Sequence, residues 1–244
     1  MCYYISITPK MTDVEKRFGA RFRQPESYYQ VYSASAFTFP KMPVINSDDP
    51  SSIEFFQWGL IPFWVKDNES AVKIRQRTLN ARAETIFQKP AFRHSIRSKR
   101  CLVIADGFFE WRHENKRKYP YYIKLKHHIP FAIAGIWDTW ENPETNETLK
   151  TFSVITTQAN SLLEKIHNTR KRMPVILQKD NEKLWLEEKL EEPRIQSLMS
   201  PYDMTEMDAY PTIKEINKLG YNTRNVGVLK EYTYPELPVL NFSK

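Results

Sequence analysis

Five consecutive apolar residues, Cys101-Leu102-Val103-Ile104-Ala105, constrain the fold of this 244-residue chain most tightly. An unbroken apolar run of strand length reads as a buried strand, so the rest of the chain must cover it. Around it lie many short segments of aromatic and β-branched residues. Those at 2–7, 28–39, 44–45, 55–58, 121–125, 131–138, 152–157 and 173–177 are predicted as strands. A helix is predicted over 12–18, opened by the capping-box pattern Thr12-Asp13-Val14-Glu15 and stopped by Gly19. Others are predicted over 81–87, with Asn80 as N-cap, and over 159–166, 180–188, 194–199 and 213–219. Polar loops are expected at 46–52 and 142–148. With no repeats and no long linker, the pattern predicts an α+β fold: one domain over 1–244, mostly an antiparallel, β-barrel-like core with peripheral helices. Residues from about 208 onward lie outside its clearest part.

Composition narrows the function classes. The chain holds 14 Phe, 13 Tyr and 6 Trp against only 6 Gly, which fits a packed protein and not a disordered one. No apolar run reaches membrane-spanning length, so no membrane partner is expected. The start carries no basic segment of the signal-peptide kind, and an intracellular, cytoplasmic protein is expected. Two cysteines, Cys2 and Cys101, make neither a disulfide framework nor a metal set. His127-His128, adjacent in a turn, have poor ligand geometry, so the expectation is no metal and no cofactor.

Charge is more telling by place than by size. Residues 66 to 100 contain ten basic side chains against Asp67, Glu69 and Glu84; the other residues hold 26 basic and 26 acidic groups, so this segment carries the whole net charge of +7. Concentrated positive charge suits a polyanion such as nucleic acid, although a solvated basic face is the plainer alternative. Trp58 and Trp64 flank a Gly/Pro turn just before it. They form either a packed corner or an aromatic platform, on which stacking is worth roughly 1–3 kcal/mol per base.

Cys2 carries the sharpest chemistry. Once Met1 is removed, as a small second residue favours, Cys2 bears a free α-amine, titrating near ~7.7–8.0, beside a thiol near ~8.5. Such a 1,2-aminothiol can capture an aldehyde, first as a Schiff base on nitrogen and then as a five-membered thiazolidine closed by sulfur. The plainer reading is an ordinary residue at a frayed terminus. Glu110 stands between Phe109 and Trp111 just after a strand and a turn. There it is either a carboxyl tuned by apolar surroundings for proton transfer, or one that strand alternation points to solvent. His167, at a predicted helix end, either stabilises that end or serves as a general acid/base.

In this order, Cys2, Trp58-Gly59-Leu60-Ile61-Pro62, Asn80-Ala81-Arg82-Ala83-Glu84-Thr85, Ala105-Asp106-Gly107-Phe108-Phe109-Glu110-Trp111, Ala134-Gly135-Ile136-Trp137, Thr156-Thr157 and His167 followed by Arg172-Met173-Pro174 resemble the SRAP (SOS response-associated peptidase) family. Its members crosslink covalently to abasic sites in single-stranded DNA. The resemblance extends to about Met207 and implies the SRAP fold. It also implies single-stranded DNA with abasic sites as partner, and a thiazolidine formed by the mature N-terminal Cys2. Asn80 would hold the reacting centre, Glu110 would lie near the new linkage and His167 would move protons. Pro40, Trp58, Arg82, Trp111, Thr156 and Arg172 would grip or stack the strand. A monomer is expected, nucleoid-associated in a bacterium. A rival class is a cysteine peptidase or amidohydrolase with Cys2 as nucleophile and His167 as base, and a third is a passive single-strand binder. Limited self-processing of the N-terminus fits both covalent readings. Three departures stand out. Tyr3-Tyr4 replace the family's frequent Gly-Arg, and Ile104 replaces a common proline. Four residues, 168–171, separate His167 from Arg172 where His-x-Arg-Met-Pro is usual, so either Arg170 or Arg172 is the family's arginine.

Overall fold

The apolar run forms the middle of a closed barrel. The structure, a computed structural model, describes residues 2–217 and 224–240. Its strands are β1 (Tyr4–Ile7), β2 (Arg21–Phe22), β3 (Val31–Ser35), β4 (Lys41–Asn46), β5 (Asp49–Trp58), β6 (Asn80–Arg82), β7 (Arg100–Ala105), β8 (Gly107–Glu114), β9 (Arg117–Leu125), β10 (Phe131–Glu141), β11 (Thr148–Gln158), β12 (Arg172–Pro174) and β13 (Met207–Pro211). Every residue of β7 is buried. It pairs antiparallel with β4 on one side and β10 on the other, Val103 lying opposite both Val44 and Ile133. β4 turns directly into β5, and β10 pairs with β11. The ring closes where β11 runs parallel to β5, Thr151 opposite Gln57 and Phe152 opposite Trp58. Closure leaves these five strands no free edge in that stretch.

At Gly59 the chain leaves the barrel. Gly59 has φ +100°, a left-handed value that favours glycine, and its N–H donates to Phe152 O at 2.9 Å. Residues 60–79 make an excursion that includes the helix Asn68–Arg75, capped by the Asp67 side chain accepting from Ser70 N–H. Thr78 Oγ1 donates to Leu60 O at 2.7 Å and ties the two ends of the excursion together. β6 then resumes the place β5 gave up, with Asn80 opposite Val154 and Arg82 opposite Thr156.

A second sheet, in the order β13-β9-β8-β1-β3, grows from the end of β7 through the corner Asp106-Gly107. The Asp106 carboxylate accepts from Ser6 Oγ at 2.6 Å and Thr8 N–H at 3.1 Å, locking the end of β1 to that corner. Short helices lie outside the sheets, at Met11–Phe18, Ser161–Ile166, Glu182–Leu186 and Glu192–Ser197 among them. Arg100 is fully buried and donates to the carbonyls of Ile96, Arg97, Trp185 and Glu187, so one basic residue of the charged segment is structural. Carbonyl dipoles satisfy its N–H groups, which a buried cation requires. Among the described residues no helix is long and apolar enough to cross a membrane.

Several local readings give way to tertiary context. No helix spans 81–87: Asn80 caps nothing, because the open edge of β11 recruits Asn80–Arg82 as a strand and Ala83–Thr85 form a single 3-10 turn. Helix Met11–Phe18 begins one residue before Thr12 with no side-chain cap, and Glu15 instead accepts from Phe22 N–H at 3.1 Å. The polar stretch 46–52 is mostly strand around a tight turn in which Asn46 Oδ1 accepts from Asp48 and Asp49 N–H. Of 28–39, strand covers Val31–Ser35 alone. Of 213–219, Lys214–Asn217 is a 3-10 turn and the rest lies outside the described residues.

The exit at Gly59 leaves little room for a side chain. An added Cβ would sit 3.0 Å from Phe39 Cδ1 and 3.1 Å from Arg75 O, at a strained backbone angle. Gly59→Ala is expected to cost about 1–3 kcal/mol, read as a lower denaturant midpoint with an unchanged slope. An unmoved midpoint would remove Gly59 as the pivot of the excursion.

Candidate active site beside the N-terminal strand

Strand pairing fixes the N-terminus. β1 lies antiparallel to β8, with Tyr4 opposite Phe109, so the chain just ahead of β1 runs beside Glu110. Cys2 is fully buried and its Sγ donates to Tyr4 O at 3.8 Å. Burial pushes its thiol well above the ordinary range, and the charge of nearby Glu110 adds to the effect. Glu110 itself is only 3% exposed, and desolvation raises its carboxyl to about 8. At neutral pH it is therefore an acid holding its proton.

His167 reaches the same place from the other end of the chain. It ends the helix Ser161–Ile166, whose Asn160 side chain caps Leu163 N–H at 2.9 Å. Its Nδ1 donates to Arg172 O at 2.9 Å and lies 3.5 Å from Glu110 Oε2. A carbonyl partner fixes the proton on Nδ1, leaving Nε2 as the basic nitrogen of the neutral ring. Burial lowers this histidine to about 4, so it is neutral at pH 7. Asn168 holds the loop in place: its Oδ1 accepts from His113 N–H at 3.1 Å and its Nδ2 donates to His113 O at 2.7 Å. One amide side chain thus pairs with the edge of β8 as a strand would.

Glu110 and His167 open onto a cavity of about 420 Å³ whose walls include Tyr3, Tyr4, Phe37 and Trp111, with Lys118 and Arg170 also lining it. Phe37 packs on Tyr3 with ring centroids 4.7 Å apart, and Tyr4 meets Trp111 edge-on at 5.0 Å. Arg170 and Arg82 both bear electrostatically on the Tyr3 hydroxyl, opposing the rise that burial and Glu110 cause there.

The remaining sequence-derived candidates separate. Arg172 forms a two-point ion pair with Glu84 and donates to Thr156 O at 2.6 Å. It is a strut between β12 and the turn after β6, whereas Arg170 lines the cavity. Thr156 is buried and belongs to that strut. Trp58 corrects the platform reading: it is fully buried, stacks on Phe152 at 5.7 Å and donates Nε1–H to Leu79 O at 2.7 Å, which leaves no face for a base. Pro40 is half-buried and its carbonyl accepts Trp58 N–H at 2.9 Å. Asn80 sits on β6 of the barrel, 9% exposed, and neither its amide oxygen nor its amide nitrogen has a hydrogen-bond partner among the described residues. Such an orphaned pair costs stability, roughly 1–3 kcal/mol per group. Phe37 and Lys118 carry no site signal in the sequence, Phe37 lying in a run that reads as strand, and Asn168 shows there only as the start of the lengthened His167–Arg172 gap.

Of the basic segment, Lys73, Arg97 and Lys99 are paired with Glu69, Glu192 and Asp138. Lys66, Arg77, Arg82, Lys89 and Arg93 are exposed.

Comparison with known proteins places this arrangement. The family model described as SOS response associated peptidase (SRAP) matches residues 1–219. The abasic site processing protein YoqW of Bacillus subtilis is 40% identical over 225 residues, covering 91% of this chain and 97% of YoqW. The abasic site processing protein HMCES of Xenopus tropicalis is 33% identical over 183 residues, covering 62% of this chain and 53% of HMCES. A crystal structure of a Bacteroides thetaiotaomicron protein superposes with a TM-score of 0.90 at 42% identity, over 95% of this chain and 100% of that one. A Bordetella bronchiseptica structure at 22% identity shares the fold, with a TM-score of 0.74 over 87% of this chain and 100% of that one. Matched from its first strand to its thirteenth, the chain belongs to the SOS response associated peptidase (SRAP) family.

Proposed function

We propose that this protein processes abasic sites in single-stranded DNA, and does so by joining Cys2 covalently to the ring-opened aldehyde. The observation that carries the reading is the buried Glu110–His167 pair, 3.5 Å apart and neutral at pH 7, whose carboxyl bears electrostatically on the thiol of Cys2. The names of the relatives, abasic site processing proteins, support the substrate class.

The closed abasic sugar is a hemiacetal. His167 Nε2 takes the proton of its hydroxyl and returns one to the ring oxygen as the C–O bond breaks, leaving an aldehyde. With Met1 removed, the α-amine of Cys2 adds to the aldehyde carbon and gives a carbinolamine. Glu110 donates its proton to the carbinolamine hydroxyl, which leaves as water, and the new carboxylate faces the iminium. The carboxylate then takes the thiol proton as sulfur adds to the iminium carbon. One C–N and one C–S bond form, one water departs and Glu110 is an acid again. Because the thiol titrates high, this proton acceptor is needed. The same high titration speaks against a peptidase working through a Cys2 thiolate, which requires the opposite shift. Lys118, Arg170 and the exposed cations of residues 66–100 supply charge for the phosphates, and the setting is cytoplasmic.

Single-stranded DNA with one abasic site should give a denaturation-resistant band with Met1-free protein, and none with Cys2→Ala. No band from the wild type would sink the covalent reading. Glu110→Gln should slow band formation by about 10²–10⁴-fold, the usual worth of a positioned acid. The wild-type rate should rise with pH as the α-amine deprotonates and fall again above about 8, where Glu110 loses its proton. A rate that keeps climbing through that range would remove Glu110 as the acid.

Asn80 offers a separate check. Asn80→Leu keeps the shape and deletes two orphaned polar atoms, so the fold should be unharmed or gain about 1 kcal/mol while crosslinking is lost. Lower stability together with intact crosslinking would mean that the amide serves the fold.

A further inference from the structure

One ion pair lies outside the cavity and still reaches its histidine. Arg172 opens β12, opposite Gln158 of β11. Its guanidinium donates to Thr156 O at 2.6 Å and meets the Glu84 carboxylate at two points, one of them Nη2 to Oε2 at 3.0 Å. Glu84 stands on the 3-10 turn Ala83–Thr85 that follows β6, and β6 runs along β11, so the pair ties β12 to β6 across β11. The Arg172 side chain is 12% exposed and that of Glu84 42%. Burial pushes the Glu84 carboxyl up, but Arg172 more than offsets this and leaves it below its ordinary value, so both partners are charged at neutral pH. The backbone carbonyl of the same Arg172 accepts Nδ1–H of His167 at 2.9 Å.

We infer that Glu84 is a positioning residue for the proton transfer, acting through Arg172 to hold the carbonyl that orients His167. The inference rests on the covalent reading above for what His167 does. Nδ1–H has a second acceptor close by, Glu110 Oε2 at 3.5 Å. While the Arg172 carbonyl holds that proton, the ring stays neutral and Nε2 stays its basic nitrogen. β12 is three residues long and Arg172 is its first, so strand pairing alone grips that end weakly. The two-point contact with Glu84 supplies the rest of the hold. Once Arg172 is released, the ring turns Nδ1–H onto Glu110. The two groups, each neutral in the intact site, then join as an ion pair and neither serves its role. His113 of β8 and Arg170 of the loop oppose a positive charge on the ring, and Glu110 is the group that invites one.

Glu84→Gln removes the ion pair at an exposed position and tests this directly. In Met1-free protein it should slow the resistant band on abasic single-stranded DNA about 10–100-fold, the scale of a small misplacement at a reacting centre. Binding to the same strand carrying tetrahydrofuran, which has no aldehyde, should not weaken, because the variant has lost a negative charge and the ligand is a polyanion. Glu84→Asp, which keeps the charge on a shorter arm, should fall between the two proteins in rate. In a His167→Ala background, Glu84→Gln should slow the band no further. Nitrogen-15 spectra of the imidazole should show wild-type His167 carrying its proton on Nδ1 and titrating near about 4, and titrating closer to the ordinary histidine value in Glu84→Gln. Equal band rates for wild type and Glu84→Gln, the same slowing with and without His167, or an unmoved titration would overturn the positioning role. Failure of the covalent reading would show separately, as no resistant band from the wild type, while the His167 titration still reports on Glu84.

Discussion

Three residue pairs between β1 and β8, Tyr4 with Phe109, Ile5 with Phe108 and Ser6 with Gly107, hold the N-terminus inside the protein. A chain end without such pairing frays, and a frayed Cys2 would have neither a fixed position nor a buried thiol. Asp106 secures one end of the pairing through Ser6 and Thr8. At the other end the edge of β8 passes to Asn168, which takes the backbone groups of His113. Glu110 lies between these two attachments. One strand edge is thus shared by segments from opposite ends of the sequence, and each brings a reactive side chain to the same carboxyl.

The site is expensive to hold. Glu110 and His167 are ordinary at the surface, but burial drives the first up to about 8 and the second down to about 4. The consequences for stability have opposite signs. Across the interval from its ordinary value to about 8, Glu110 is protonated only in the folded chain, so stability falls as pH rises through it. Between about 4 and the ordinary histidine value, His167 is protonated only in the unfolded chain, so stability rises there. The two effects offset on the acid side, and the cost of Glu110 alone persists at neutral pH. Asn80, on β6 of the barrel with both amide atoms unsatisfied, carries a cost of its own. Groups kept in unfavourable states by a rigid frame are what proton transfer requires.

The framework was legible where the signal is local and strong. The unbroken apolar run gave the central strand, and the periodic stretch before His167 gave a helix close to its observed bounds. Where two readings used the same residues, non-local partners decided. Asn80 is as good an N-cap as a strand residue until the free edge of β11 claims it. Trp58 would stack on a base as readily as on Phe152, and barrel closure supplies Phe152. Arg172 and Arg170 are indistinguishable by type, and Glu84, 88 residues from Arg172, separates them. Glu110 had equal claims on solvent and core, which the arrival of β1 on one side and residues 167–168 on the other resolved.

That separation of arginines follows from the lengthened loop. Here residues 168–171 fold back on the histidine: the N–H groups of Arg170 and Lys171 donate to His167 O at 3.2 and 2.7 Å, and Lys171 adopts a positive φ of 49°. Lys171 O accepts from Ala159 N–H at 3.0 Å, closing the loop across the helix start. With Asn168 fixed on β8 and Arg172 fixed on Glu84, both ends of the insertion are anchored. Thr169 and Arg170 are the exposed residues between those anchors that line the cavity. Arg170 thus stands exposed at the cavity while His167 stays held beside it.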